Sequence, residues 1–511
     1  MTATLQRVAR NWQYYATTAA VVILAAVIRL THLDRWHKIL FDETYYVKDA
    51  YSQMTLGYPA DWVKEPDPNV AFASGDFSAM TTNPAFVVHP PLGKALISVG
   101  MGIFGADNPF GWRVMAALFG TLGVWLTCAI AWQLFRSVTL VAVAGVFTAT
   151  DTLHVAMSRI GLLDVFLATL VLAGFWTLAH DFRTTRPRLA DALWNGGTHT
   201  GNKWHIGTGF RWWLVLSGVF FGAGAAVKWS AAYALALCGL FIVVREVTAR
   251  WQGGFPVMKA LGFGVLRGGV PAFLYLVPPA VIAYIVGWLP WFMAPGSWGR
   301  GATGQGLLAD WVRYQRDILT FHKGVTSPHP YQANPLQWLL DLRPTSMVFE
   351  KPQGEQGDYL VQAVTALGNP LLWWTGLVGL ATVIGCAFAL RDWRAGFILC
   401  GYLGLWAPWL LYWSRTVFMF YMVVLSPFVA LALTYTLGVL FGHIVPRAES
   451  LGRTRLRLGE TRTETPLFAQ AIAVIALIVV LAGALFFLPL GTGSDLPYSH
   501  WQWRMWLPNW I

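Results

Sequence analysis

The chain has 511 residues, of which 56% are hydrophobic and only 12% charged, and its mean hydropathy is positive at +0.50. A soluble core stops growing well below such an apolar content, so the soluble globular and disordered classes are excluded and the long apolar runs read as membrane spans. The net charge of +11 does not point to nucleic acid, because excess Lys and Arg in a polytopic protein belongs to cytoplasmic loops.

In chain order, Arg7 and Arg10 precede a first apolar run at 14–30, which reads as a retained anchor with a cytoplasmic N-terminus rather than a signal peptide. A first outer loop, 34–110, follows. It carries the adjacent carboxylates Asp42 and Glu43 among Phe41, Tyr45 and Tyr46, and further on His89-Pro90-Pro91-Leu92-Gly93-Lys94. The run 92–104 is apolar but short, as in an interfacial or re-entrant helix. The acidic pair has two readings at this point: a general base at a membrane surface, or the dipole-favoured first turn of a helix.

Further spans are expected at 111–135, 138–149, 160–179, 212–227, 231–244 and 270–288. A second outer loop occupies 289–370, and spans at 371–390, 397–412, 417–441 and 468–488 complete a set of about eleven. The C-terminus then lies outside, with Trp501, Trp503, Trp506 and Trp510 as an interfacial belt. Every loop read as cytoplasmic is basic. They hold Arg183, Arg186, Arg188, Lys203 and Arg211; Arg245, Arg250, Lys259 and Arg267; Arg391 and Arg394; and Arg447, Arg453, Arg455, Arg457 and Arg462. The whole chain, 1–511, reads as one integral membrane domain with no separate soluble domain. Cys128, Cys238, Cys386 and Cys400 lie in or beside apolar runs without metal spacing and are expected to pack as small hydrophobes.

Against this topology, four cations stand at outer helix ends, where the positive-inside rule does not put them: Arg113, Arg159, Lys228 and Arg415. Asp164 accompanies them, either paired structurally with Arg159 or facing substrate. Ionisable groups at membrane depth are costly unless paired or functional, and several on one side mark a candidate site. Such cations can hold the phosphate of a lipid carrier while a nearby carboxylate takes the proton of an attacking hydroxyl. His89 reads as a loop-fixing hydrogen bonder, and His329 either as an acceptor contact or as a surface turn.

These residues resemble the protein O-mannosyltransferases. The resemblance rests on Asp42-Glu43, His89 to Lys94, Arg113 within Gly-Trp-Arg-Val-Met, Ser158-Arg159-Ile160-Gly161-Leu162-Leu163-Asp164, Val227-Lys228-Trp229, and Arg415 to Tyr421 followed by Ser426-Pro427-Phe428. It implies an all-α polytopic protein of the C-type glycosyltransferase (GT-C) fold, a polyprenyl-phosphate mannose donor, and Ser or Thr hydroxyls of exported polypeptides as acceptors. Asp42 would be the base, Glu43 would support the loop or donor, and Arg113, Arg159, Asp164, Lys228, Arg415 and Tyr421 would contact the donor. His89, Lys94, Trp229 and His329 would be loop or acceptor contacts. The second loop is too short for the β-trefoil domain of eukaryotic members, and their His-Tyr pair reads Phe420-Tyr421 here. Both departures imply a bacterial, actinobacterial member.

The same features fit a plasma-membrane enzyme meeting its acceptors near the secretion translocon, with membrane lipids as further partners. No cofactor is required on this reading; the carboxylates show no Asp-x-Asp pair, so an essential metal is not expected, with a divalent cation left open. Two alternatives stand beside it: transfer of another lipid-linked sugar to a lipid or polysaccharide, and, in a different class, a transporter or flippase. The one-sided clustering of charges and the absence of an internal repeat weigh against transport.

Overall fold

A computed structural model describes residues 2–65, 67–195, 209–351, 358–446 and 464–511. Lys203, Arg447, Arg453, Arg455, Arg457 and Arg462 lie outside the described residues. Among the described residues, eight helices are long and apolar enough to cross a membrane: Asn11–Leu30, Pro109–Phe135, Asp164–Leu189, Ala231–Gln252, Val257–Val286, Pro370–Phe388, Trp393–Tyr412 and Leu467–Thr492. Two shorter apolar helices, Val138–Thr150 and Trp212–Ala225, fall on expected spans, and Leu92–Phe104 on the expected interfacial segment; of the span expected at 417–441 only Ser426–Leu440 is α-helical, Met419–Val424 being a 3-10 helix. The protein is a multi-pass membrane protein.

Unpaired backbone groups are costly in lipid, so helix ends there need partners. The chain supplies them locally. Asn108 and Asn369 each cap a helix that starts with Pro, accepting from the amides of Phe110 (3.0 Å) and Leu371 (3.2 Å). Asp392 does the same for Arg394 (3.0 Å). Close helix approach is carried by small residues: a Cβ on Gly218 or Gly222 would meet the carbonyls of Leu276 and Ala280 at 2.2 and 2.1 Å. Trp212–Ala225 thereby packs against Val270–Val286 as a small-xxx-small pair.

Several cations expected in loops are folded inward. Arg211 is buried and pairs bidentately with Asp181, and Glu246 lies beside it with Arg250 (2.6 Å). They form a buried ionic cluster at the end of their helices rather than a solvated face.

Two small antiparallel sheets accompany the helices. Ala60–Trp62 pairs with Met80–Pro84. Thr345–Glu350 pairs with Leu360–Ala366, which pairs with Asp495–Pro497 of the tail. Ion pairs Arg35–Asp495 and Lys38–Glu350 join the first loop to the tail and the second loop. The two long loops and the tail therefore share one face. The tail departs from a simple interfacial belt: Trp503 and Trp506 are exposed, but Trp501 and Trp510 are buried, and Trp510 donates its indole N–H to the Asp341 carbonyl (2.7 Å). An indole that finds such an acceptor gains more by packing inward than by lying at the interface.

Candidate active site

Helix Glu43–Leu56 begins at the acidic pair, and its first turn separates the two carboxylates. Glu43 is fully buried and every oxygen is used. It pairs with Arg113 through Nε (2.8 Å) and Nη2 (2.9 Å), and accepts from the amides of Leu40 (2.9 Å) and Gly161 (2.8 Å). Asp42 occupies the N-cap position, yet its side chain makes no capping hydrogen bond among the described residues. The preceding residue, Phe41, holds a left-handed φ of 46°, a costly conformation for an aromatic residue, and packs edge-on against Phe420 (5.6 Å). So the first turn consumes Glu43 and leaves Asp42 half-buried with an unspent carboxylate.

A cleft of about 920 Å³, its mouth included, opens around Lys228 and Asp164, whose charges act on the Asp42 carboxyl; Asp42 itself is not among its lining residues. Its polar lining includes His89, Asp164, Lys228, His322, Lys323, Arg415 and Tyr421, and its apolar wall includes Leu167, Leu319, Leu405 and Val424. Lys228 Nζ lies 2.8 Å from both oxygens of Asp164 and over the Tyr421 ring (5.1 Å). Asp164 is thus paired, but with Lys228 rather than with Arg159. Arg415 lies over Trp409 (5.6 Å), and its Nε is buried without a hydrogen-bond partner among the described residues. Three cations face one paired carboxylate, an excess that suits a dianionic or monoanionic phosphate.

Burial pushes the Asp42 carboxyl up to about 6; Lys228 opposes the rise and Asp164 adds to it. Burial, and then Lys228 and other cations, holds His89 well below the ordinary histidine range, so its ring is neutral at pH 7. Its carbonyl accepts from Lys94 (3.0 Å), which also pairs with Asp49 (3.7 Å): Lys94 fixes the loop while the His89 ring lines the cleft.

The other expected site residues fall elsewhere. Arg113 is fully buried and gives its remaining N–H groups to the carbonyls of Trp36 (3.0 Å) and Lys38 (2.8 Å), so it is not on the cleft lining. Arg159 donates to the carbonyls of Ile28, Arg29, Thr31 and His32 at 2.8–3.2 Å, closing the end of the first helix. The Arg113 guanidinium is taken up by Glu43 and backbone carbonyls; Arg159 spends Nη1 and Nη2 on the carbonyls of the first helix's end and keeps a buried Nε without a partner among the described residues, and neither, though expected from sequence to contact the donor, lies on the cleft lining. His329 is exposed; its Nδ1 accepts from the Tyr331 amide (3.1 Å), a surface turn off the lining. Trp229 lines the cleft, its N–H held by Tyr284 (2.9 Å).

Sequence reasoning passed over His322, Lys323, Trp409, Tyr233 and Tyr412. A signal existed for the first two. His322 and Lys323 end the amphipathic helix Leu307–Gly324 in the second loop, where the helix dipole favours cations.

The scaffold matches a solved protein O-mannosyltransferase complex of Saccharomyces cerevisiae bound to the sugar donor, with a TM-score of 0.68 over 98% of this chain and 92% of that one at 13% identity. Spans and scaffold together define a multi-pass membrane protein of the GT-C fold. Residues 88–193 match the family model described as dolichyl-phosphate-mannose-protein mannosyltransferase, and 307–510 match the C-terminal four-span region of protein O-mannosyltransferase. A polyprenol-phosphate-mannose–protein mannosyltransferase of Mycobacterium tuberculosis is 30% identical, with 98% of this chain and 92% of the relative covered. One of the same description from Corynebacterium glutamicum is 30% identical over 97% and 93%. The chain belongs to the protein O-mannosyltransferase family.

Proposed function

We propose that this chain transfers mannose from polyprenyl-phosphate mannose to Ser and Thr hydroxyls of exported polypeptides at the outer face of the plasma membrane. The carrying observation is the unspent carboxylate of Asp42 within the field of Lys228 and Asp164, which line a cleft that joins cations to an apolar wall. In this reading the prenyl chain leaves along the apolar wall into lipid, and Lys228, Arg415 and Lys323 meet the phosphate. The acceptor oxygen attacks C1 of mannose as its proton passes to Asp42. The C1–O bond to phosphate breaks with inversion, and polyprenyl phosphate leaves with the bonding pair. A phosphate is a good leaving group that needs charge stabilisation more than protonation, so one base suffices. Glu43, Arg113 and Arg159 hold the loop that presents Asp42.

The N-terminus is cytoplasmic and the C-terminus outside on this reading, which puts the cleft where acceptors emerge from the secretion translocon. Side-chain cations supply the charge a divalent ion supplies elsewhere, so transfer is expected to survive EDTA. The test is transfer of labelled mannose from polyprenyl-phosphate mannose by purified protein to a Ser/Thr peptide and to its Ala counterpart. Label on the first alone supports the reading. Label confined to lipid or polysaccharide acceptors would replace it with the alternative transferase.

A further inference from the structure

Arg415 has no carboxylate partner among the described contacts; a histidine holds it instead. His322 lies near the end of helix Leu307–Gly324, which the second loop lays against the first. Its Nε2 is 3.0 Å from the Val88 carbonyl, and its Nδ1 is 3.2 Å from Nη2 of Arg415. The two contacts determine the state of the ring. A carbonyl only accepts, so Nε2 carries a proton; a guanidinium only donates, so Nδ1 carries none. An imidazolium could not make both bonds. Burial and the adjacent Arg415 charge agree with this, holding His322 down to about 4.

We propose that His322 is a positioning residue of the donor-phosphate site, a neutral imidazole that accepts from Arg415 and so aims its guanidinium into the cleft. The proposal rests on the reading of the cleft as the donor site. The chemistry favours an imidazole for this task. Asp164 orients Lys228 but also offsets its charge; His322 orients Arg415 while leaving the full charge for a phosphate. Arg415 also lies over the Trp409 ring (5.6 Å), so His322 and Trp409 together narrow its orientations. The bond to Val88, one residue before His89, ties the second loop to the His89 segment of the same cleft.

The two ring nitrogens can be separated by substitution. Gln places its amide near Nε2 and keeps the bond to Val88 without an acceptor for Arg415. Asn places its oxygen near Nδ1 and keeps that acceptor. Steady-state transfer by purified full-length protein, with polyprenyl-phosphate mannose and a Ser/Thr peptide, is expected to show donor KM raised about three- to tenfold in His322→Gln, the worth of one net hydrogen bond, with little change in kcat. His322→Asn is expected to stay near the wild-type KM, and His322→Gln should add nothing in an Arg415→Ala background. An unchanged donor KM in His322→Gln, or a raised one in His322→Asn, overturns the proposal. If the wild-type protein transfers no mannose, the failure belongs to the functional reading instead.

Discussion

Asp42 and Glu43 are neighbours in sequence with opposite environments. Glu43 is sealed against Arg113, and Asp42 keeps its carboxylate free within the field of Lys228 and Asp164. Asp42→Asn preserves shape but not basicity, so single-turnover transfer should fall by about 10²–10⁴-fold while donor binding survives. The pH profile carries a second signature. A carboxyl pushed up to about 6 is protonated, and useless as a base, below that pH. kcat/KM should therefore fall as pH drops through about 6, rather than through the ordinary carboxylate range near 4. Glu43→Gln acts differently. It leaves the Arg113 charge buried without its partner, an uncompensated loss of about 3–5 kcal/mol, so its effect should appear first as a lowered melting temperature in detergent. A stable Glu43→Gln with collapsed turnover would move the base one residue along.

At the scale of elements, the cleft is made where helix ends meet. Asp164 opens one helix, and Lys228 sits in the break between Trp212–Ala225 and Ala231–Gln252. Their pairing predicts a divided outcome. Lys228→Ala removes a phosphate partner and should weaken donor binding roughly tenfold or more, the usual loss for a charge-assisted contact. Asp164→Asn keeps the Lys228 charge but removes a neighbouring anion that helps to raise Asp42. Its donor affinity should hold or improve, kcat should fall with the lost orientation of Lys228, and the acid limb should move below about 6. An acid limb that stays put in Asp164→Asn would disconnect Asp42 from this cluster. The apolar runs made the helices readable in sequence, because a run of that length is a local feature; the Asn108, Asn369 and Asp392 caps that fix their starts emerged with the structure. The strands were not readable. At 3–7 residues, with partners as far apart as Gln362 and Asp495, no local period reports them.

At the scale of the molecule, the proposed sidedness has a direct check. The four native cysteines are buried, so introduced ones report cleanly. Cysteines at the exposed positions Asp61 and Thr326 should react with an impermeant maleimide in intact cells, and one at exposed Pro256, just before the span Val257–Val286, should react only after lysis. Labelling at Pro256 from outside would invert the arrangement. The sequence alone determined the membrane class, the long apolar helices and the ordered motifs, since each is a matter of composition, length or local order along the chain. It also named most of the cleft's charged groups, because an ion near a helix end in lipid stands out whatever its partner. What it could not determine was how those ions divide. Arg113 and Arg159 look like Lys228 and Arg415 in sequence, one cation at one helix end each. Only the folded chain spends the first two on Glu43 and on the carbonyls of the first helix, while Lys228 and Arg415 reach the cleft. The deciding partners lie 70 residues from Arg113 and about 130 from Arg159, and His322 lies 93 from Arg415. Whether a charge is satisfied or available depends on atoms within a few ångströms, and no feature of the local sequence encodes which distant atoms those will be.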